Sequence, residues 1–123
     1  MGYESIVYVV QEKGPSFGNG LAWGDKIAIF DLAKMGYEIY NGKSFRQLFN
    51  QDRTCDIYAD DGHTIIKEDC YGDELQKADP KELIAWLKQM TKDDPYWRAN
   101  LLYKFLLELE KTGEAYSLYH YGY

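Results

Sequence analysis

The pattern of apolar and polar residues in the first fifty positions is mostly that of β-strands. Residues 5–11 form a β-branched and aromatic run that is apolar on both faces, which predicts a central strand. Residues 13–20 are rich in turn formers and predict a loop. A second strand is predicted at 27–30, continuing into a helical turn, and Ser44 is a candidate N-cap of a short helix over 45–49.

The clearest local pattern in the chain predicts a β-hairpin. Two strand-like arms, 54–59 and 64–67, flank a turn that contains Asp60, Asp61 and Gly62. An Asp-Gly pair readily adopts the positive φ angles of a type I′ turn, which connects antiparallel strands. We therefore predict a hairpin with a type I′ turn, and most of the surplus acidic residues lie on it or just after it.

Beyond residue 79 the apolar positions recur with the period of α-helices. Asp79 and Pro80 predict the start of one helix, because aspartate is a favoured N-cap and proline suits the first helical position. Asp94 and Pro95 repeat this signal for a second helix, which Gly113 should end. The short connection between the two helices predicts an antiparallel helical hairpin.

The order of these elements predicts a single α+β domain over residues 1–123. An antiparallel sheet of about four strands would be covered on one face by the C-terminal helical hairpin. The tail, residues 116–123, contains four tyrosines, and tyrosine is frequent at interfaces. This tail is either a contact element through which copies of the chain self-associate, or a segment that packs along the protein's own sheet or frays.

The formal net charge of −6 comes from one segment, residues 51–79, which holds nine Asp and Glu residues against three Lys and Arg. The rest of the chain is balanced, so the charge is a local feature. An aromatic content of 16% excludes the composition of a disordered chain. No apolar run approaches the roughly 18 residues of a membrane span, and the N-terminus has no secretory signal pattern, so we expect an intracellular protein.

Calcium binding is the first chemistry that an Asp-Asp-Gly loop suggests, and the spacing excludes the EF-hand form. When Gly62 is placed sixth in the loop, Glu68 falls correctly at the last position. Ile57 and Ala59 then occupy positions that need oxygen ligands. We therefore expect no metal, and the nonstandard alternative would be a carboxylate site of Asp60, Asp61 and Asp69.

Other catalytic and metal-binding motifs are missing from the sequence. His63, His120, Cys55 and Cys70 are the nitrogen and sulfur donors that zinc would need, and no two have motif spacing. We expect both cysteines to be reduced, although a bridge across the hairpin stays an alternative. Because a nucleophile elbow, a P-loop and a dinucleotide-binding glycine pattern are also missing, we expect neither a cofactor nor enzymatic activity.

The charge distribution disfavours nucleic-acid binding, because phosphates require clustered Lys and Arg and the uncompensated patch here is acidic. An acidic face can instead occupy a cationic groove that normally holds nucleic acid. We therefore expect a basic partner protein to bind the acids of the hairpin and its exit, namely Asp56, Asp60, Asp61, Glu68, Asp69, Asp73 and Glu74. The alternative is that these charges only keep a small protein soluble.

Several short segments together carry a resemblance to a known group of proteins. In the N-terminal part these segments are residues 2–5, 8–10, 23 and 27–32. Around the predicted hairpin they are residues 55–62, 64, 66, 68–69 and 71–72. Over residues 2–75 this combination resembles small uncharacterised proteins encoded by bacteriophages and prophages of Gram-positive bacteria. The resemblance supplies no catalytic residues. It implies the cytoplasm of a bacterial host as the location and an anti-defence role of the anti-CRISPR type, in which an inhibitor covers the guide- or DNA-binding groove of a type II effector nuclease.

Three functional hypotheses result. The leading one is a non-enzymatic, phage-derived inhibitor that binds a nucleic-acid-handling host defence protein, a type II CRISPR effector nuclease in the first place, through the acidic hairpin face. The second is a phage accessory or assembly protein that self-associates through aromatic surfaces. The third is a small hydrolase or metal-dependent enzyme.

Overall fold

Eight β-strands and two α-helices are present in the computed structural model, which describes residues 4–15, 22–93 and 96–123. The strands are β1 (Ser5–Pro15), β2 (Ala22–Asp31), β3 (Ile39–Tyr40), β4 (Lys43–Ser44), β5 (Phe49–Gln51), β6 (Cys55–Ile57), β7 (Lys77–Ala78) and β8 (Tyr116–Gly122). The helices are α1 (Pro80–Asp93) and α2 (Trp97–Thr112). Two short 3-10 helices lie at Ala33–Tyr37 and Arg46–Leu48. The predicted α+β class is confirmed.

Six of these strands form one sheet in the order β5-β7-β8-β1-β2-β6, and β3 pairs with β4 separately. All neighbouring pairs in the sheet are antiparallel except β2 and β6, which run parallel. The sheet is therefore larger than the four strands predicted, and it is mixed. Three of the strands, β5, β6 and β7, are only two or three residues long. Strands of that length are too short to show the alternating apolar and polar pattern from which a strand is predicted.

The tyrosine-rich tail forms an interior strand of the sheet. β8 pairs along its whole length with β1, and its other edge pairs with β7. Tyr119 is fully buried, and Leu118 and His120 are buried beside it. The alternative that the tail packs along the protein's own sheet is therefore confirmed. Because Tyr116, Tyr121 and Tyr123 are partly exposed, self-association through this tail stays a prediction.

The two helices pack against each other and cover one face of the sheet. The fully buried residues of this layer include Val7, Val9, Leu83, Leu87, Leu102 and Leu106. α1 begins at Pro80, and the Asp79 carboxylate accepts a hydrogen bond from the Lys81 N–H at 3.3 Å. The predicted helix start is thus confirmed, with the cap holding an otherwise unpaired N–H.

The end of the second helix is confirmed as well. Gly113 follows α2 in the left-handed conformation, at φ +71°, which a glycine adopts without strain. The start predicted at 94–95 lies outside the described residues, so the antiparallel helical hairpin stays a prediction. Within the described residues, neither helix combines the length and the apolar character that crossing a bilayer requires.

The opposite face of the sheet carries a second, smaller core. Tyr8 and Val10 of β1 and Tyr119 of β8 pack there against side chains from the segment that follows β5. These covering residues are Cys55, Ile57 and Leu75. Because each face of β1 contacts a core, the strand is apolar on both sides, as its sequence predicted.

The N-terminal half follows the predicted elements with shifted boundaries. β1 continues through 13–15, so the loop was predicted to start too early, and 16–20 lie outside the described residues. β2 extends the predicted strand in both directions and leads into a 3-10 helix. The Ser44 hydroxyl accepts a bond from the Gln47 N–H at 3.2 Å, and the Gln47 side chain accepts one from the Ser44 N–H at 2.8 Å. This reciprocal capping box confirms Ser44 as a cap.

Candidate functional site

The acidic segment, residues 51–79, contains two short hairpins, and one was predicted. We name residues 57–66 the first hairpin and residues 67–75 the second hairpin. A backbone hydrogen bond of 2.7 Å joins the ends of the first, and one of 2.9 Å joins the ends of the second. The turn of the second hairpin has a single glycine, Gly72 at φ +82°, and no Asp-Gly pair in the sequence marks it.

The turn of the first hairpin is not of the predicted type I′. That turn requires positive φ at two consecutive residues, and in this loop only Gly62 has one, at +75°. Asp61 holds the loop instead. Its Oδ2 accepts the Thr64 hydroxyl at 2.6 Å, and its Oδ1 accepts the N–H groups of His63 and Thr64 at 2.8 Å each. These bonds, the Thr64 hydroxyl first, lower the pKa of Asp61, so its exposed carboxylate is ionised and fixed in place.

Asp60 lies at the tip of the first hairpin with its side chain fully exposed. Its Oδ1 is 3.4 Å from Nζ of Lys26 in β2, a long contact between an exposed carboxylate and a lysine whose side chain is mostly buried. Lys26 in turn lies over the ring of Tyr8. Because the contact is long and the Asp60 carboxylate is fully exposed, the pair contributes little to stability, and Asp60 can leave it for a partner at small cost.

The second hairpin carries an acidic cluster, which we define as Glu68, Asp69, Asp73 and Glu74. Glu68 and Glu74 form an antiparallel bridge, so their side chains lie next to each other on the same face of the hairpin. Like charges at directly opposite positions are destabilising. In the described part of the chain, neither glutamate has a Lys or Arg within ion-pair distance.

The other two acids of the cluster make bonds that shape and anchor the second hairpin. Asp69 Oδ1 accepts the N–H groups of Tyr71 and Asp73 at 2.9 and 3.0 Å, and its Oδ2 accepts the Gly122 N–H at 3.2 Å. The hairpin is thereby attached to the end of β8. Asp73 also pairs with Arg46 at 2.9 Å, with both side chains about half exposed. The cluster thus combines two acids with structural bonds and two glutamates directed at solvent.

Asp56 does not belong to the acidic surface, and its prediction as a binding residue is wrong. Its side chain is 2% exposed, and Arg53 donates a hydrogen bond to its Oδ1 at 2.8 Å. Arg53 also donates to the Cys55 carbonyl at 2.9 Å. All three residues of β6 are buried. Asp56 is therefore covered even though it lies on the opposite face of the strand from Cys55 and Ile57. A buried carboxylate persists only with such a paired and hydrogen-bonded cation.

A polar depression of about 250 Å³ lies beside the acidic cluster and is lined in part by His120. His120 is 6% exposed, and its Nε2 is 2.8 Å from the Ser5 hydroxyl. Burial, with a smaller contribution from the charge of Arg46, lowers the pKa of His120 to about 4, so the ring is neutral near pH 7. A neutral histidine beside a serine has the chemistry of a base and a nucleophile, but Ser5 is fully buried and out of reach of a substrate.

Both cysteines are free thiols, so the alternative of a bridge across the hairpin does not apply. Cys55 is buried, and its burial raises the pKa of the thiol, whereas Cys70 is exposed. Within residues 4–15, 22–93 and 96–123, no three His, Cys, Asp or Glu side chains are arranged to hold a metal ion. The chemistry that this region offers is therefore the negative charge of its exposed carboxylates.

The seven predicted binding residues fall into three environments. Asp60 and Asp61 form the tip of the first hairpin, four form the acidic cluster of the second, and Asp56 is buried. Two cations that face these acids, Lys26 and Arg46, were not predicted from the sequence. They come from segments 34 and 27 residues away from their partners, and no local pattern reports a contact over that separation.

Comparison with known proteins assigns the chain to no group. It matches no protein-family model, no curated protein and no solved structure.

Proposed function

We propose that this chain is a non-enzymatic inhibitor that binds a basic groove of a nucleic-acid-handling protein through the acidic cluster and the tip of the first hairpin. One observation carries the proposal: Glu68 and Glu74 lie side by side at the surface without a compensating cation in the described part of the chain. Like-charge neighbours cost stability, and a protein partner with clustered cations would repay that cost on binding.

The charge balance supports the same function. The buried pair of Asp56 and Arg53 is neutral, so removing it from the count leaves the segment 51–79 with eight acids, two lysines and an unchanged net charge of −6. This charge is now assigned to the surface of the hairpins and their flanks. A concentrated negative field of this kind accelerates encounter with a basic protein and repels nucleic acid.

The resemblance to proteins of bacteriophages and prophages suggests the identity of the partner. A phage-derived inhibitor acting in the cytoplasm of a bacterial host would meet defence enzymes, and a type II CRISPR effector nuclease is the favoured target because it holds its guide and DNA in a positively charged channel. An acidic protein seated in that channel would compete with the nucleic acid for the same cations. We expect inhibition that is complete near equal molar amounts of inhibitor and target.

Two triple variants with the same change of charge test this proposal. The first replaces Asp60, Glu68 and Glu74 with lysine, and these positions were chosen because none of them makes a bond that shapes its hairpin. The control replaces Glu38, Glu108 and Glu114 with lysine, three exposed acids outside the acidic segment. Titrating each protein into a DNA-cleavage reaction of a type II CRISPR effector nuclease should show inhibition by the wild type and the control and none by the first variant. Equal inhibition by both triple variants would contradict the role of the acidic surface.

A further inference from the structure

The strand β2 has an outer edge that is largely unpaired. β2 pairs with β1 along its length, but its other neighbour, β6, reaches only Ala22–Gly24. In the part of the chain that the structure describes, no strand covers residues 25–31 on that side. A sheet edge that is left open in this way is the surface on which proteins add a strand from another chain.

The ladder between β1 and β2 shows which backbone groups face this edge. The Leu32 N–H donates to the Ser5 carbonyl at 2.9 Å, which identifies these two residues as a hydrogen-bonded pair. Antiparallel ladders alternate, so Ile29 and Asp31 direct their N–H and C=O groups away from β1. The Asp31 carbonyl accepts a bond from Arg98 at 3.2 Å on that outer side, which agrees with this direction. The groups of Ile29 are thus presented to an incoming strand.

The side of the edge that faces α2 is apolar. The Ile29 side chain lies opposite Tyr8, on the other face of the sheet, whereas Phe30 contacts Phe105 of α2. On the α2 side, Trp97 and Leu101 are 62% and 51% exposed, which is unusual for residues of their size. They lie around a depression of about 260 Å³ between β2 and α2. Arg98 and Asp31 pair at one end of it. Apolar side chains of an added strand would be buried in this depression.

The other side of the edge is acidic. Lys26 lies over the ring of Tyr8, whose side chain belongs to the core on the face opposite the helices. Its contact with Asp60 therefore places the tip of the first hairpin on that face, next to β2. Asp60 is fully exposed there, and Asp61 follows it with an ionised carboxylate. Cations on the second face of an added strand would meet these two acids.

We propose that the free edge of β2 accepts an extended segment of the basic partner as an additional strand, with apolar and basic side chains in alternation. The two faces of a strand alternate with every residue, so the apolar flank and the acidic flank each select every second side chain. This inference rests on the proposed function and names the partner's binding element. A second copy of the chain fits less well, because residues 25–31 of its own β2 carry two acids, Asp25 and Asp31, and a single lysine, and lack the alternating cations that the acidic flank favours.

A capped heptapeptide of alternating lysine and leucine, labelled with fluorescein, is a direct probe of this edge. Two further peptides carry backbone N-methyl groups, one on all its leucines and the other on all its lysines. Only alternate N–H groups of an added strand point at β2, so one methylated peptide should bind at least about tenfold more weakly and the other should bind as well as the unmodified peptide. Side chains and charge are the same in all three, and fluorescence anisotropy with the full chain reports each affinity.

Protein variants locate the bound peptide. Leu101→Ser should weaken binding at least about threefold, because the leucine lines the apolar flank. Ile39→Ser is the matched control, since Ile39 is 68% exposed and lies outside the edge and its flanks, and it should leave the affinity unchanged. Asp60→Asn should weaken binding by a factor that shrinks as salt is added.

Three results would overturn this inference. The first is failure of the unmodified peptide to bind at about 1 mM, the limit of a weak specific contact. The second is equal affinity of the two methylated peptides, which would mean attraction by charge without strand pairing. The third is a dimer in sedimentation that Leu101→Ser dissociates, which would assign the edge to a second copy. None of these results decides the role of Glu68 and Glu74, which the nuclease titration measures separately.

Discussion

Replacing Asp56 with alanine tests whether this carboxylate stabilises the fold or serves the acidic surface. Its side chain is 2% exposed and that of Arg53 is 13% exposed, and the two are joined at 2.8 Å. Removing one partner of a buried ion pair leaves the other charge uncompensated and costs about 3–5 kcal/mol. Because Arg53 keeps some contact with water, we expect the lower end of that range, about 3 kcal/mol of unfolding free energy.

The matched control is Asp52→Ala, which removes the same charge from an exposed position four residues earlier. Its effect should stay within about 0.5 kcal/mol, as for most surface substitutions. Urea unfolding followed by circular dichroism compares the two variants with the wild type. A double variant, Arg53→Met with Asp56→Leu, should recover most of the lost stability because no buried charge is left unpaired. If the Asp56 and Asp52 variants unfolded at the same urea concentration, the assignment of Asp56 to the interior would be refuted.

Three other substitutions probe the fold and the acidic cluster. The pKa of His120 is about 4 in the folded state, below its unfolded value, so the unfolded chain takes up a proton first as the pH falls. About 3 kcal/mol of unfolding free energy should therefore be lost between roughly pH 6.5 and 4. His120→Asn should remove this loss, as measured by urea unfolding at both pH values. A β-carbon at Gly24 would lie 2.6 Å from a Val10 methyl group, so Gly24→Ala should lower the unfolding free energy by about 1–3 kcal/mol. A β-carbon at Gly14 would have no atom within 4 Å, so the control Gly14→Ala should lower it by less than about 0.5 kcal/mol. Equal melting temperatures of the two variants would contradict this. Glu68→Lys converts a like-charge bridge into an opposite-charge pair and should raise the unfolding free energy by about 0.5–1 kcal/mol at low salt, so a lower urea midpoint would argue against the bridge.

Local signals in the sequence predicted the parts of the fold that local chemistry decides. Asp79 and Pro80 mark the start of α1, Gly113 marks the end of α2 and Ser44 caps a 3-10 helix, because each of these residues satisfies backbone groups of its own turn. The apolar character of β1 on both faces likewise reports its position between two cores. These features require no knowledge of distant residues.

The parts that failed depend on contacts between distant segments. β8 was predicted only as one alternative for the tail, because its identity as a strand comes from pairing with β1, more than a hundred residues earlier. Its tyrosines are as suitable for a surface as for a sheet. β5 and β7 are strands only because β8 and its neighbours hold them. The sheet was underestimated for this reason.

The candidate site shows the same division. Asp60 and Gly62 placed the first hairpin correctly, since the turn is determined by the residues within it. Asp56 looked equivalent to the other acids in the sequence, and only the burial of β6 on all sides separates it from them. The open edge of β2 was also not predicted. Whether an edge is open depends on how far the neighbouring strand β6 extends, and the residues of β2 carry no information about that.

The central claim is that the exposed acids of the two hairpins bind a basic protein, and comparative affinity capture tests it most directly. Wild type, the triple variant at Asp60, Glu68 and Glu74, and the control at exposed acids elsewhere would each be immobilised and exposed to a bacterial lysate containing candidate defence nucleases. The wild type and the control should retain the same basic protein near 0.1 M salt and release it near 1 M, where the screening length falls from about 10 to about 3 Å. The triple variant should retain none. Equal capture by both triple variants, or capture that does not change with salt, would contradict the account.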